Sequence, residues 1–589
     1  MQNKCQNCNK NFTLEQDDIS FYEKMKVPHP TFCPTCRSQR RFIWRNERTL
    51  HKRECDLCKK GIIGLYPPGT PFPVYCYECW YSDKWDGLEH GMDYDSSEPF
   101  FTQYKELLNK VPRLAIWIVQ SVNSTYTNQS YSNRNCYLSF ALRDTEDSAY
   151  VTRVVDLKKC FDVLYTHHSE SVYEGINVEK SYKCGFIDEV EASVESYFLS
   201  NARNCQQCIG GVNLRSANNV FFGEYLSKDE YKNRIEALDF GNRETIQKLK
   251  KDFNNLKLSV PMKFAKLTNC QNTTGDHILN TSNSKNVFDG FDLKNCRNSM
   301  WVYNCKEISD CYGMGGSEFI YEIMACEDVN NIKFCNVVDT SSFAEYSMLS
   351  KASNNIFGCV GLKSKEYCIL NKKYDKETYT ALRERIIEEM NTNPYQSQSG
   401  IIYKYGEFFP PEFSPYAYNE TVAQEVFPIT KEIAVAKGYV WHTEPERNYN
   451  ITIKPENIPI NIKDVNDSIL KEVIGCAHEG KCVEQCTTAF RIIESELQFY
   501  RQMNLPLPSL CPNCRHYERI KQRNPLMLWK RSCHCMGKVG KSEIGKHIYK
   551  NTGSHSHGSD PCPNEFETSY APDRPEIVYC EKCYQQEVY

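Results

Sequence analysis

The stretch CQNCNKNFTLEQDDISFYEKMKVPHPTFCPTCRSQRR, residues 5–41, contains two cysteine pairs with the spacing of metal ligands. Cys5 and Cys8 form the first knuckle, and Cys33 and Cys36 form the second. A tetrahedral Zn²⁺ ion needs four soft ligands presented by two such turns, and the span between them can form a hairpin or loop. The stretch therefore predicts a zinc ribbon.

A second set follows as Cys55-x-x-Cys58 and Cys76-x-x-Cys79. Two complete sets in one short region favour metal binding over a run of buried free thiols. Each set can be closed by protein ligands, which leaves no coordination position for water or substrate. We therefore expect structural rather than catalytic zinc.

The C-terminal region repeats this pattern. The residues from Cys33 to Cys55 align with those from Cys511 to Cys533 without a gap, at an offset of 478, which predicts a duplicated module. In the last site Cys533-His-Cys535 is a poor knuckle, so Cys562, His534, His555 or His557 could replace one sulfur. About four zinc ions are expected in all. The third predicted site is Cys482, Cys486, Cys511 and Cys514, and the fourth is Cys533, Cys535, Cys580 and Cys583.

Composition limits the class of protein. The chain has 589 residues, enough for several modules or one long repeat array. Its 31 cysteines, with no apolar leader at the start and no long apolar run, predict a soluble cytoplasmic protein whose thiols bind metal or lie buried. A net charge of −4 excludes a generic polycation, so any nucleic-acid surface must be local.

Such a local surface is predicted after the CPxC knuckles. If a helix begins there, Arg41, Arg45 and Arg48 fall on one stripe beside Trp44, which suits phosphate contacts and base stacking. The alternatives are a solvated basic face or arginines that pair with the acidic central region. The predicted nucleic-acid contacts are Arg37, Arg41, Trp44, Arg45 and Arg48 in the first module, and Arg515, Arg519, Arg523, Trp529 and Lys530 in the second.

The central region has a different texture of short strand-like segments, from about 120 to 372. Cys136, Cys160 and Cys184 are spaced by 24 residues, and so are Cys335 and Cys359. This period, with strands too short for a sandwich, predicts the coils of a parallel β-solenoid. We interpret its thirteen cysteines as a buried ladder of thiols, with further metal binding as the alternative.

A second repeat lies within this region. Gly210 and Lys228 recur as Gly358 and Lys376 at an offset of 148, and in both places a charged helical stretch follows. The predicted fold is therefore mainly β: a central parallel β-solenoid in two lobes with capping helices, flanked by duplicated zinc-ribbon/treble-clef modules. The predicted boundaries are 1–95 for the first paired ribbons, 96–119 for a bracing helix, 120–256 and 257–391 for the lobes, 392–470 for a Pro/aromatic extended segment and linker, and 471–589 for the second paired ribbons.

The run FTLEQDDISFYEKMKVPHPTFCPTCRSQRR resembles the probable zinc-ribbon domain of treble-clef type. More broadly, the chain resembles a family of uncharacterised cysteine-rich proteins from uncultivated bacteria with reduced genomes. That resemblance implies no activity; some members carry a CaiB/BaiF CoA-transferase label, which no motif in this chain supports. The runs that carry it are CPTCRSQRRFIWRNER, YSDKWDGLEHGMDYD, CILNKKYDKETY, FSPYAYNETVAQEVFP and CPNEFETSYAPDRPEIVYCEKCYQQEVY.

The leading functional hypothesis is a non-enzymatic, zinc-stabilised binding protein that contacts nucleic acid through basic ribbon helices. RNA, including the ribosome, is favoured over DNA, which stays open. The alternative is a protein interaction scaffold with purely structural zinc. The third is a carbohydrate-active solenoid enzyme, which requires a groove lined by carboxylates. No hydrolase, metalloprotease or nucleotide-binding motif is found, so no catalytic residue, small-molecule substrate or membrane contact is expected.

Overall fold

Each solenoid lobe is a stack of coils in which residues 12 positions apart are hydrogen-bonded neighbours, as Thr152 is with Leu164. Positive φ angles recur at every third position, for example 50° at Asp144 and 49° at Asp147, and these residues turn the chain into short sides. The coil is therefore half as long as the predicted period of 24. The predicted period was wrong because cysteine alternates with serine or valine along one inward-facing column, so a cysteine recurs only at every second coil.

That column contains Cys136, Cys160, Cys184 and Cys208, and Cys160 shows how such a thiol is held. Ser148 Oγ accepts the backbone N–H of Cys160 across 3.0 Å, and the Cys160 thiol donates to the Ser169 carbonyl oxygen at 3.6 Å. The thirteen central cysteines are free thiols, and all but the half-buried Cys270 are buried. Burial raises the pKa of the Cys160 thiol to about 12, so it stays protonated as a small core residue.

The structure is a computed structural model that describes residues 1–443, 449–537, 541–544 and 547–589. It confirms a mainly β fold with two parallel solenoid lobes, each a 10-stranded sheet. The first lobe has strands Ile118–Val119, Thr127–Tyr131, Ser139–Arg143, Thr152–Lys158, Leu164–Glu179, Tyr182–Glu191, Tyr197–Arg203, Gln206–Val212, Asn218–Phe221 and Glu224–Tyr225. The second has Leu267–Thr268, Gly275–Ser282, Lys285–Gly315, Glu318–Met324, Asn330–Asp339, Ser342–Glu345, Met348–Lys351, Asn354–Phe357, Glu366–Ile369 and Lys372–Lys373.

Both lobes end in the same way. An antiparallel hairpin closes the last coil, and a helix begins directly after it, at Lys228 in the first lobe and at Lys376 in the second. These elements cover the sheet edge, as expected for a solenoid cap. The helices of the chain are Gln16–Met25, Pro34–Phe42, Tyr77–Trp80, Phe100–Lys110, Lys228–Glu236, Arg243–Leu258, Lys376–Thr392, Val422–Val426, Lys431–Ala436, Glu494–Met503, Pro512–Gln522 and Glu581–Val588. None of the helices in the described ranges is both long and apolar enough to span a bilayer.

The end modules are built from two-stranded hairpins and short helices. Helix Pro34–Phe42 begins immediately after Cys33, and Arg45 and Arg48 lie beyond its end, so the predicted continuous helical stripe is wrong. The paired strands are Gln2–Lys4 with Asn11–Thr13, His51–Glu54 with Gly61–Gly64, Ile474–Gly475 with Ala489–Phe490, Trp529–Ser532 with Glu565–Thr568, and Lys541–Ile544 with His547–Lys550.

One ribbon of each module is joined to the entry of a lobe. Strand Val74–Tyr75 pairs in parallel with Arg113–Leu114 before the first lobe, and strand Ile577–Tyr579 pairs with Pro261–Lys263 before the second. A parallel pair fixes both the direction and the register of the two chains. The second ribbon of each module is therefore attached to a different lobe.

The Pro/aromatic segment predicted over 392–470 packs on this protein itself. Phe408 and Phe409 are fully buried, and the Phe409 ring lies 5.1 Å from that of Trp44 and 5.2 Å from that of Tyr104 in the bracing helix. A short hairpin of Tyr395–Gln396 with Ile402–Tyr403 precedes these phenylalanines. Residues 444–448 of the predicted linker lie outside the described residues.

Candidate metal centres, arginine clamps and an inter-lobe cavity

The first two predicted cysteine sets converge as predicted. Each set of four sulfurs lies within 4.8 Å of one another. Zn–S bonds of about 2.3 Å in a tetrahedron place neighbouring sulfurs about 3.8 Å apart. The Sγ–Sγ distance is 3.8 Å between Cys8 and Cys33, and 3.9 Å between Cys58 and Cys76. Both groups can therefore hold a zinc-like ion with only protein ligands.

The third centre differs from the prediction in one ligand. Cys476, not Cys482, groups with Cys486, Cys511 and Cys514. Cys476 follows the first strand of the ribbon as Cys5 does, and its sulfur accepts the Cys511 N–H at 3.3 Å. The loop from Cys476 to Cys486 is an enlarged knuckle. A search for two cysteines at short spacing therefore selects Cys482 instead of Cys476. Cys482 Sγ remains beside the centre, 3.7 Å from Cys514 Sγ.

The fourth centre is also corrected. Cys533, Cys562, Cys580 and Cys583 converge, so Cys562 takes the place predicted for Cys535. Cys562 lies just before the returning strand Glu565–Thr568, as Cys58 lies before Gly61–Gly64. The inserted residues have opened the knuckle between its two cysteines. Cys535 instead faces His555 and His557, with Cys583 nearby.

The predicted basic stripe is buried in ion pairs with the solenoid. Arg37 Nη2 lies 3.0 Å from Asp310 Oδ2, and Arg41 Nη1 lies 3.3 Å from Asp310 Oδ1. Arg40 donates to both oxygens of Glu322 at 2.8 Å. Burial acts to raise the pKa of the Asp310 carboxyl, but Arg37 and Arg41 hold it below its usual value. The first ribbon is therefore clamped onto the second lobe.

The second module repeats this contact on the first lobe. Arg515 Nη1 and Arg519 Nη1 each lie 2.7 Å from an oxygen of Asp162. Arg515 Nη1 also lies 3.1 Å from Glu496 Oε1 within its own ribbon. All four of these groups are buried. The third ribbon is thus clamped onto the first lobe.

Apart from Lys530, the remaining predicted nucleic-acid contacts are also buried or half-buried, so they do not form the exposed basic surface that was predicted. Trp44 is buried, Arg45 pairs with Glu47 at 3.1 Å, and Arg48 donates to Thr152 Oγ1 at 2.8 Å. Arg523 lies 2.5 Å from Asp289, and Trp529 is half-buried. Among the ten residues only Lys530 is exposed. Pairing with acids of the central region, which was one of the alternative interpretations, is found for Arg37, Arg41, Arg515, Arg519 and Arg523.

A cavity of about 410 Å³ lies between matching faces of the two lobes. Arg113, at the entry of the first lobe, is buried beside it, with its guanidinium 3.6 Å from the centre of the Phe72 ring. Sequence reasoning missed this space because its two walls are far apart in the chain. Its aromatic lining consists of Trp44, Tyr66, Trp117, Tyr131, Phe291, Trp301, Tyr303 and Tyr416.

Two carboxylates from neighbouring coils line the same cavity. The Tyr303 hydroxyl donates to Glu327 Oε1 at 2.8 Å, and the Glu327 N–H donates to Asp339 Oδ1 at 3.2 Å. Burial, assisted by the nearby Glu327, raises the pKa of Asp339 to about 7. Asp339 can therefore exchange a proton near neutral pH. The 12-residue spacing of these acids is the signal that could have paired them, once the coil length is known.

Three acids that lie close together in the first lobe, Asp188, Glu189 and Glu191, form ion pairs. Asp188 lies 2.8 Å from Lys257 Nζ in the helix that covers the first lobe, and Glu189 lies 2.8 Å from Lys266 Nζ. Glu191 pairs with Arg203 on the next coil at 2.7 Å. Each carboxylate therefore has a cationic partner of its own and serves packing between elements.

No protein-family model matches the chain, and no curated protein matches it significantly. The case for a function therefore depends on the thiol groups, the arginine clamps and the cavity.

Proposed function

We propose that the chain is a zinc-stabilised binding protein whose end modules hold two solenoid lobes around a ligand cavity. The observation that carries this proposal is the burial of Arg37 and Arg41 on Asp310, and of Arg515 and Arg519 on Asp162. A ribbon whose arginines form buried ion pairs with its own solenoid has a structural role. Closed four-thiolate centres suit that role, because they fix loops without offering a site for chemistry.

We further propose that the protein arose by internal duplication. The clamp residues follow two offsets at once: 478 relates Arg37 to Arg515, and 148 relates Asp162 to Asp310. The aromatic contacts follow the same offsets, since Tyr22 packs on Tyr321 at 5.3 Å and Tyr500 packs on Tyr173 at 5.6 Å. Ribbon and lobe would thus have been copied together with the interface between them.

The cavity lining favours a carbohydrate as the ligand. Flat rings such as Trp117 and Trp301 offer faces on which a sugar ring can pack, and Glu327 and Asp339 offer acceptors for hydroxyl groups. The volume, about 410 Å³, is within the range of small-ligand sites. A carboxylate pair disfavours the phosphate backbone of a nucleic acid at this place.

Calorimetric titration of the full-length protein with a panel of soluble oligosaccharides tests the proposal. We expect at least one ligand to bind, and Trp301→Ala to weaken its affinity by about tenfold or more, since a lost aromatic contact costs roughly 1–2 kcal/mol. Tyr225→Ala is the matched control, because Tyr225 is 68% exposed and lies outside the cavity lining. Absence of binding across the panel at millimolar concentration would overturn the carbohydrate assignment.

A second candidate is the carbohydrate-active enzyme, and Asp339 is the observation that favours it. Glu327 and Asp339 are stacked on neighbouring coils, which in a β-solenoid lie about 4.8 Å apart, and retaining glycosidases need two carboxyl groups about 5–5.5 Å apart. An acid with a pKa near 7 can protonate a leaving oxygen, while its neighbour acts as the nucleophile.

Product analysis on the same oligosaccharides separates the two candidates. An enzyme should release reducing ends, with a rate that falls above the pKa of Asp339 and is lost in Asp339→Asn and Glu327→Gln. Binding without turnover in the wild type would leave the binding protein and reject the enzyme.

A further inference from the structure

The insertion in the fourth ribbon brings a second set of metal ligands against the fourth centre. Cys535 Sγ lies 3.4 Å from His555 Nδ1 and 3.4 Å from His557 Nε2, and His557 Nε2 lies 3.3 Å from Cys583 Sγ. In a tetrahedral zinc site with ordinary bond lengths, sulfur and nitrogen ligands lie about 3.5 Å apart. We propose that Cys535, His555, His557 and Cys583 hold a further zinc-like ion, bridged to the fourth centre by the Cys583 thiolate.

In both histidines the ring nitrogen that faces away from Cys535 is hydrogen-bonded to an oxygen acceptor. His555 Nε2 lies 2.9 Å from Glu587 Oε2, and both side chains are fully buried. His557 Nδ1 lies 2.6 Å from the Asp560 carbonyl oxygen, which can only accept a hydrogen bond. Each ring therefore donates outward and turns an unprotonated nitrogen inward, as metal-bound histidines do.

Glu587 is itself fixed in place. Its carboxylate accepts from the Tyr549 hydroxyl at 2.6 Å and from the backbone N–H of Thr552 at 2.7 Å. These donors keep the carboxylate ionised and aimed at His555. A histidine with a carboxylate behind it is a stronger metal ligand, and its orientation is set before the ion binds.

Without an ion the inward atoms are poorly satisfied. Cys583 is shared with the fourth centre, and a single Cys535 thiol could donate to only one of the two histidine nitrogens that face it. The Asn551 amide donates to Cys535 Sγ at 3.1 Å, so this sulfur is held as an acceptor. A divalent cation satisfies all four atoms.

A second ion, bridged through Cys583, also makes the net charge of the site less negative. One ion among four thiolates carries a formal charge of −2, whereas two ions among five thiolates and two neutral histidines carry −1. The site is buried, so a smaller net charge lowers the cost of desolvation. Since every position is filled by protein, the ion is structural and folds the insertion onto the ribbon.

Metal content and ¹¹³Cd NMR of the full-length protein test the bridge. We expect five ions per chain in the wild type and two cadmium resonances that show ¹¹³Cd–¹¹³Cd scalar coupling, because Cys583 joins them. The double variant His555→Ala, His557→Ala should retain four ions and lose the coupled pair. His168→Ala, a change at an exposed histidine, should leave both readouts unchanged.

The wild-type spectrum decides the question even if the double variant does not fold. Four ions and no coupled pair in the wild type would overturn the proposal. Five ions in a folded double variant would do the same, since the extra ion would then be bound elsewhere. Neither result bears on the carbohydrate proposal, whose cavity lining includes no residue of the fourth ribbon.

Discussion

Asp162 and Asp310 occupy equivalent positions in the two lobes, 148 residues apart, and each is the buried acceptor of two arginines from a zinc ribbon. The N-terminal ribbon reaches the second lobe, and the C-terminal module reaches the first. Since the other ribbon of each module is attached to the opposite lobe by a parallel strand, each module spans both lobes. The two end modules therefore hold the two lobes together, and they do so in opposite order.

The clamps should dominate stability. Asp162→Asn or Asp310→Asn leaves two buried arginines without a full countercharge, and the free energy of unfolding should fall by about 3–5 kcal/mol. Asp156→Asn is the control: Asp156 pairs with His168 at the surface, its side chain is 65% exposed, and the cost should be below about 1 kcal/mol. Urea denaturation followed by tryptophan fluorescence measures both. Equal effects of buried and exposed variants would contradict the clamp.

The arginines should not govern nucleic-acid binding. Arg519→Gln should reduce stability, and any weak affinity for RNA at low salt should stay as in the wild type, because the guanidinium is buried against Asp162. Lys530→Gln changes the exposed basic residue of the same module and serves as the comparison. Filter binding over a range of salt gives the readout. A folded Arg519→Gln protein with a lower salt dependence would restore the nucleic-acid interpretation.

The third centre can be assigned by pairing two cysteine variants. Cys476→Ser should lose one zinc per chain, because its sulfur takes the position that Cys5 has in the first ribbon. Cys482→Ser should keep the full zinc content, although its sulfur lies 3.7 Å from Cys514. Metal analysis after extensive dialysis is sufficient. The reverse outcome would place Cys482 in the centre and make Cys476 the neighbouring thiol.

The cavity should carry a cost in stability that depends on pH. Asp339 has a pKa raised from 3.8 to about 7, so the folded state holds this proton more tightly than the unfolded state. The contribution of this bound proton to the free energy of unfolding is fully present below pH 3.8 and is lost as the pH rises through 7. Asp339→Asn should therefore stabilise the protein by about 1–3 kcal/mol at pH 8 and by little at pH 4. Urea midpoints of the two proteins across this range give the comparison, and a constant difference would contradict it.

The sequence was most informative where ligands are close together in the chain. The CxxC spacing at Cys5, Cys33, Cys55 and Cys76 predicts the first two centres, because a knuckle is a local turn. Where the knuckle has been enlarged, at Cys476 and Cys562, local spacing no longer identifies the ligand. The choice there depends on which cysteine follows or precedes a strand of the ribbon.

The arginine stripe shows why function was harder to predict. A run of guanidinium groups is compatible with phosphates, with water or with buried carboxylates. The partner of Arg515 is Asp162, 353 residues away, and no local pattern connects them. The cavity was missed for the same reason, since its walls belong to two lobes. The solenoid itself was predictable, because the 24-residue spacing of Cys136, Cys160 and Cys184 is two coils of 12.

Because the N-terminal ribbon binds the second lobe, the order of synthesis determines when its arginines can be buried. Arg37 emerges from the ribosome 273 residues before Asp310. At roughly 5–20 residues per second this is a wait of about 15–55 s. During that interval the first ribbon can bind its metal, but its arginines have no buried acid to meet and must remain hydrated. Arg515 has no such delay, because Asp162 is already folded into its lobe. During translation the N-terminal ribbon therefore exposes a surface that is buried in the finished protein, and this surface is open to unwanted contacts until the second lobe has been made.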